Sequence, residues 1–202
     1  MFIGKFNRAF MVTCLGVISA VIGTYYAVAG KLNYAILALV ISGICDMFDG
    51  KIARKHNKTD EDSKYGIQID SLADIFAFGV FPVVILMTMG LTEWYYFPIY
   101  SLYIIGGITR LAYFNIMAEK LGPVKVYTGL PITSAALIFP FFWLINFVLK
   151  TDFLMTAFPI VMACMSIMFI LNAKIIKKPG KITNYIFTLA ALAFAVWLIF
   201  FN

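Results

Sequence analysis

An all-α, polytopic bundle of membrane-spanning helices is the fold class this sequence predicts, on three observations. Hydrophobic residues fill 62% of the 202 positions and charged residues only 13%, against roughly 45–50% and 25% in soluble domains. The apolar residues lie in long unbroken runs, whereas a transmembrane barrel would show segments of about ten residues alternating in polarity. Finally, threading these runs across a membrane gathers thirteen of the 16 Lys and Arg on one side, the asymmetry that orients polytopic proteins.

A span takes about 20 apolar residues. Runs of that size cover 10–29, 34–53, 67–89, 94–118, 131–149, 153–173 and 183–201. The lead-in "MFIGKFNRAF" is basic, and the run after it is longer than a signal-peptide core and lacks a small-residue cleavage site. Residues 10–29 therefore read as a retained first span with an interfacial lead-in. With the N-terminus inside, the cytoplasmic segments hold Lys5 and Arg8; Lys51, Arg54, Lys55, Lys58 and Lys64; Lys120 and Lys125; and Lys174, Lys177, Lys178 and Lys181. Lys31 and Lys150 fall outside, and Arg110 lies within the fourth span. The cluster "EWYYF" at 93–97 then marks an outer aromatic belt.

Connections this short leave no room for a second, soluble unit, so 1–202 reads as one membrane-embedded domain of a multi-pass cell-membrane protein. The basic residues sit between spans and not on one face, which argues against nucleic acid as a partner. Cys14, Cys45 and Cys164 share no metal-ligand spacing and are expected as small buried apolar residues. A single histidine, His56, argues against zinc sites and histidine triads.

Four aspartates break the apolar pattern. In a helical second span, Asp46, Asp49, Gly50 and Ala53 fall on one stripe about 60° wide. Asp70 and Asp74 share one face of the third span, with Gly66 a turn before Asp70. A hairpin of these two helices brings both acidic faces together at the cytoplasmic boundary. Each buried charge costs about 2.5–3.5 kcal/mol on insertion scales, and four like charges repel one another. Divalent cations offset both effects, and carboxylate oxygens suit Mg²⁺, Mn²⁺ or Ca²⁺ better than zinc or copper.

Four carboxylates suffice for two ions, the arrangement that stabilises attacking and leaving oxygens in phosphoryl transfer. The small Gly50 and Ala53 admit a bulky ligand, and Arg54 at the mouth is a natural phosphate partner. A divalent-cation transporter is the rival reading of the carboxylates. It leaves Gly50, Ala53 and Arg54 unexplained, and the other spans supply no comparable line of acids.

The stretch "DMFDGKIAR…GIQIDSLAD" resembles the signature of the CDP-alcohol phosphatidyltransferases, D-x2-D-G-x2-A-R, a spacer, then G-x3-D-x3-D. Asp46, Asp49, Gly50, Ala53, Arg54, Gly66, Asp70 and Asp74 fill it. Eleven residues separate Arg54 from Gly66, where that family usually has eight or nine. "HNKTDEDS" is expected to absorb the excess as a surface loop, with Asp60, Glu61 and Asp62 solvated. The resemblance implies a six-helix core, to which the run 183–201 would be an addition. It also implies an enzyme dependent on Mg²⁺ or Mn²⁺ that transfers a phosphatidyl group from CDP-diacylglycerol to an alcohol, releasing CMP.

Carried over by position, Asp46, Asp49 and Asp70 would hold the metals. Asp74 would be the general base and also touch a metal, and Gly50, Ala53, Arg54 and Gly66 would contact the CDP moiety. An alcohol oxygen is a poor nucleophile until a base takes its proton. A homodimer is implied as well, with Gly106 and Gly107 permitting close helix contact.

Three further stretches resemble the phosphatidylserine synthase branch of that family: "DSLADIFAFGVFP" at 70–82, "RLAYFN" at 110–115 and "YTGLPITSAA" at 127–136. They imply L-serine as the acceptor, ahead of glycerol phosphate or inositol phosphate, whose phosphates would want several basic residues at the cavity. Tyr113 stands where the branch has a second arginine, and Thr133 where it has proline. An arginine inside an apolar span needs a partner or a polar cavity, so Arg110 is expected to face the site and pair with a carboxylate or phosphate. Asn115 is expected to share that cavity, and Thr133 with the freed amides of "TGLP" to meet a polar head group.

Overall fold

The computed structural model describes residues 8–53, 60–121, 126–127, 129–149, 153–172 and 176–177. Among the described residues seven α-helices form the framework: α1 Arg8–Val28, α2 Leu32–Ala53, α3 Asp60–Asp74, α4 Phe81–Thr88, α5 Phe97–Leu121, α6 Ala135–Leu149 and α7 Phe153–Ile170. A π-helical stretch, Ile75–Val80, joins α3 to α4 without a break in the rod. Six apolar rods result, matching the first six runs; the seventh run, 183–201, lies outside the described residues. Ala9–Val28, Leu32–Gly50 and Lys64–Thr88 are long and apolar enough to cross a membrane, while Ile132–Asn146 and Leu154–Ile170 are shorter apolar helices. α5 is 25 residues long and carries Arg110 within it.

The α1–α2 turn shows how sequence sets the pairing. Gly30 takes φ +74°, a conformation glycine adopts without the Cβ penalty. Its N–H bonds Ala27 O at 3.0 Å while Lys31 N–H bonds Tyr26 O at 2.8 Å, closing the last turn of α1 as a Schellman motif. α2 then runs back along α1. A stripe of small residues on α1, Gly16, Ala20, Gly23 and Ala27, is buried in that contact; a Cβ on Gly23 would collide with Phe81 and with Ala38. Small residues let backbones approach where lipid supplies no hydrophobic drive between helices. Two hydroxyls close the seam: Ser42 Oγ donates to Gly16 O at 2.9 Å, and Ser19 Oγ to Ala38 O at 2.9 Å.

The π-helical stretch also has a local cause. Pro82 has no N–H for the Phe78 carbonyl one turn back, and its ring crowds that carbonyl, so the helix widens ahead of it. The buried Tyr103 of α5 supplies a donor, its hydroxyl lying 2.7 Å from Phe78 O. On the same face of α5, the Ser166 carbonyl of α7 would sit 3.2 Å from a Cβ on Gly106, and Ile132 would collide with one on Gly107. Both glycines thus serve contacts within the chain, and a second copy would have to meet another surface.

Two sequence expectations change here, and one pairing is new. α3 begins at Asp60, so "DEDS" forms its first turn and is not loop; acidic residues favour a helix N-terminus. Residues 54–59 lie outside the described set. Cys164 is exposed and Cys14 and Cys45 are half-buried, because in a membrane bundle the outer face is apolar too. On that outer face α1 shows Met11, Leu15, Ile18 and Ile22. Finally, Val126–Tyr127 (β1) and Ile176–Lys177 (β2) pair antiparallel, a two-residue ladder between the segment after α5 and the segment after α7.

Candidate active site

The aspartates converge as the hairpin argument requires. One carboxylate oxygen from each of Asp46, Asp49 and Asp70 lies within 4.8 Å of the others, so α2 gives two ligands and α3 one. Asp74, a turn beyond Asp70, is 7% exposed and its carboxyl is within hydrogen-bonding reach of Asp46. It lies beside the three-carboxylate group and not within it. Oxygen ligands of one Mg²⁺ at ~2.1 Å stand about 3–4 Å apart, so small side-chain adjustments would close the three oxygens on an ion. The donor set, all carboxylate, fits a hard divalent cation.

Around this group the expected residues divide. Gly50 is exposed, and among the described residues nothing lies within 4 Å of a Cβ built there, which is room for a large ligand beside Asp49. Gly66 is half-buried one turn before Asp70. Ala53 ends α2, and Arg54 lies outside the described residues. Asn115 reaches the site level, but its Nδ2 donates to Ser71 Oγ at 2.9 Å, so that side of its amide is engaged by α3.

Arg110 is 5% exposed, with its guanidinium 4.5 Å from the Phe114 ring centre. It also borders Gly129, where a Cβ would stand 2.8 Å from Nη1 and from the Met168 carbonyl and 3.0 Å from that of Leu171. The neighbouring Leu130 N–H bonds Met168 O at 3.0 Å. The charge is thus set near the carbonyl end of α7, where cations are favoured. Thr133 sits in a 3₁₀ turn, Ile132–Ser134, that packs on the π-helical stretch following Asp74. Tyr113, at the branch's second arginine position, is exposed.

Two site neighbours escaped the sequence reading. Thr13 of α1 donates its hydroxyl to Asp49 Oδ2 at 2.6 Å, and Ser71, between Asp70 and Asp74, receives Asn115. Thr13 heads the small-residue stripe at 13, 16, 20, 23 and 27, a heptad spacing visible in the sequence. A cavity of ≈ 10 Å³ opens behind the carboxylates, lined by Thr13, Gly16, Ser42, Asp46, Asp74 and Ala77 among others; that volume is about one water.

The chain is similar to relatives with curated names. The chain is 31% identical over 156 residues to archaetidylserine synthase of Methanothermobacter thermautotrophicus, covering 75% of this chain and 65% of the relative. It is 34% identical over 123 residues to CDP-diacylglycerol–serine O-phosphatidyltransferase of Saccharomyces cerevisiae, with 56% and 44% covered. To the protein of that name from Helicobacter pylori it is 33% identical over 135 residues, with 62% and 52% covered. The matches thus span between 44% and 65% of these relatives' lengths. The family model for CDP-alcohol phosphatidyltransferase matches residues 6–200, a stretch that includes both aspartate-bearing helices and the helices that hold them. The chain belongs to the CDP-alcohol phosphatidyltransferase family.

Proposed function

We propose that this chain transfers the phosphatidyl group of CDP-diacylglycerol to the hydroxyl of L-serine, giving phosphatidylserine and CMP at the cytoplasmic face of a membrane. The observation that carries the reaction class is the convergence of Asp46, Asp49 and Asp70 within 4.8 Å from two helices. Serine as acceptor is supported by the relatives: the names of all three include it, although they differ in the lipid named. Orientation rests on the inward bias of Lys and Arg.

In this reading Asp46, Asp49 and Asp70 hold a divalent cation, Mg²⁺ or Mn²⁺. A second ion would draw on Asp74 and the pyrophosphate oxygens of the substrate. When bound, the metal offsets the pyrophosphate charge and the charge gathering on departing CMP. Asp74 takes the proton of the serine hydroxyl as that oxygen attacks phosphorus. Gly50 leaves the open face along which the CDP moiety lies, with Gly66 one turn before Asp70; Ala53 and Arg54 are assigned to the same moiety from their positions in the motif. Arg110, Asn115 and Thr133 line the side where the acceptor enters, Arg110 offering a cation to the serine carboxylate. Direct attack is favoured over a covalent phosphatidyl-enzyme, because the cluster holds ligands and a base but no activated nucleophile.

The test is CMP release by purified protein given CDP-diacylglycerol, Mn²⁺ or Mg²⁺, and one alcohol at a time. The expected outcome is release and a new serine lipid with L-serine alone. Release with glycerol phosphate or inositol phosphate instead would keep the site and overturn the acceptor. Metal flux into proteoliposomes with no CMP release under any condition would overturn the enzyme reading in favour of transport.

A further inference from the structure

We propose that Thr13, on α1, is a positioning residue that sets the metal affinity of the site by fixing the Asp49 carboxylate; the proposal rests on the metal reading given above. The Thr13 hydroxyl has one proton and two acceptors in range, Asp49 Oδ2 at 2.6 Å and its own helix's Ala9 carbonyl at 3.1 Å. The shorter contact falls in the range of a charge-assisted O–H···O⁻ bond, so the proton goes to Asp49. The helix carbonyl is the resting partner left to the hydroxyl if the carboxylate moves away. With Oδ2 engaged from α1, the orientation in which the carboxylate meets a cation is set.

The bond is also the endmost rung of a ladder. Thr13 meets Asp49, Gly16 O receives Ser42, and Ser19 gives to Ala38 O. Steps of three residues along α1 thus answer steps of seven and four along α2. Two of the rungs end on backbone carbonyls and serve only to hold the helices in register. The third ends on a metal-facing carboxylate, 4% exposed, and so brings that register to the site. Hydrogen bonds that orient a first ligand typically govern metal affinity by ten- to a hundredfold. A β-branched threonine, with few rotamers in a helix, is a stiff donor for that purpose.

The experiment measures Mn²⁺ binding to the purified full chain in detergent, from the loss of the free-ion paramagnetic resonance signal, together with the Mn²⁺ dependence of CMP release. Thr13→Val keeps the shape and removes the donor; Thr13→Ser keeps the donor and removes the methyl. Thr13→Val is expected to weaken Mn²⁺ binding about tenfold. It should raise the Mn²⁺ concentration for half-maximal activity by the same factor, while kcat at saturating Mn²⁺ stays within about twofold. Thr13→Ser should bind Mn²⁺ within about threefold of the unsubstituted chain.

Unchanged Mn²⁺ affinity in Thr13→Val would overturn the proposal, as would a lowered kcat at saturation with affinity intact. A Thr13→Val chain that fails to fold leaves Thr13→Ser to decide: a tenfold loss there would show that the methyl's packing matters and the hydroxyl does not. Failure of the underlying reading is recognised separately, since the unsubstituted chain would then bind no Mn²⁺, or would bind it equally well after Asp49→Asn.

Discussion

The two aspartate-bearing helices are each tied by hydrogen bonds to an antiparallel neighbour, and the ties work differently. α1 holds α2 through hydroxyls at 13, 19 and 42, and one of these bonds lands on a carboxylate itself. α5 holds the α3 rod at three levels: Asn115 on Ser71, Tyr103 on the Phe78 carbonyl, and Glu119 with Lys64. None of those three touches an aspartate. They fix the rod's rotation and height, and the rod carries Asp70 and Asp74 with it. The α2 rod is a regular helix across its site residues, whereas the α3 rod changes to π geometry one residue after Asp74, a feature frequent at functional sites. Asp49 on α2 is thus held directly from the neighbouring helix, while these three contacts from α5 act on the α3 rod that carries Asp70 and Asp74.

The largest effect expected from this contrast comes from exchanging one aspartate on each side. Asp74→Asn removes the proposed base, and CMP release should fall about 10²–10⁴-fold at every Mn²⁺ concentration. Asp49→Asn removes a ligand whose neighbours remain, so part of its loss should return as Mn²⁺ is raised. Metal titrations of the two variants side by side check this. Equal recovery in both would mean that Asp74 acts mainly as a ligand.

A smaller effect is expected from Tyr103→Phe on the α3 side. Pro82 cannot donate to Phe78 O, so removing the tyrosine hydroxyl takes away a donor where no water replaces it. The cost should be about 1–2 kcal/mol, read as a lowered unfolding midpoint in detergent. Because Tyr103 acts on the rod below Asp74, activity should fall with stability while Mn²⁺ affinity changes little. A loss confined to Mn²⁺ affinity would contradict the division of labour between the braces.

Much of the α2 side was legible in the sequence, and less of the α3 side. Asp46, Asp49 and Gly50 follow from helical spacing alone, because a carboxylate in an apolar run announces itself. Thr13 was equally readable in principle: the stripe 13, 16, 20, 23, 27 is a heptad of small residues, and a hydroxyl heading such a stripe near the membrane boundary needs an acceptor. It passes unremarked because threonine is cheap in a membrane, where its own helix can take the proton. The α3 pairings are a different matter. Asn115 reads as a substrate ligand from its place near Arg110, and only the packing of α5 on α3 reveals Ser71 as its partner. Arg110 presents the same difficulty, since its place beside Gly129 depends on how the segment after α5 folds back on α7.

The Asn115–Ser71 bond offers the next test. Asn115→Ala and Ser71→Ala should each cost no more than about 1 kcal/mol, as hydrogen bonds between membrane helices average about 0.6 kcal/mol. Their double variant should cost little more than either alone, because both remove the same bond. Apparent affinity for serine separates the two roles of Asn115. If it only braces α3, both single variants shift that affinity alike; if its free oxygen also contacts the acceptor, Asn115→Ala raises the serine KM and Ser71→Ala does not.

Least should follow from breaking the outermost α3–α5 contact. Lys64 Nζ and Glu119 Oε1 stand 3.0 Å apart with side chains 69% and 68% exposed, and exposed pairs of this kind lose most of their attraction to solvent and to the entropy of holding two long side chains. Lys64→Ala and Glu119→Ala should leave the unfolding midpoint and kcat within error of the unsubstituted chain at moderate salt. The pair is informative because it joins the same two helices as Asn115 and Ser71. If the α3 rod is fixed by its half-buried and buried contacts, removing an exposed tie between the same rods changes nothing. A clear loss of serine turnover in Glu119→Ala, insensitive to salt, would instead mean that the rod's pose depends on its solvent-facing end, and the brace would extend beyond the half-buried bond at 71 and the buried one at 78.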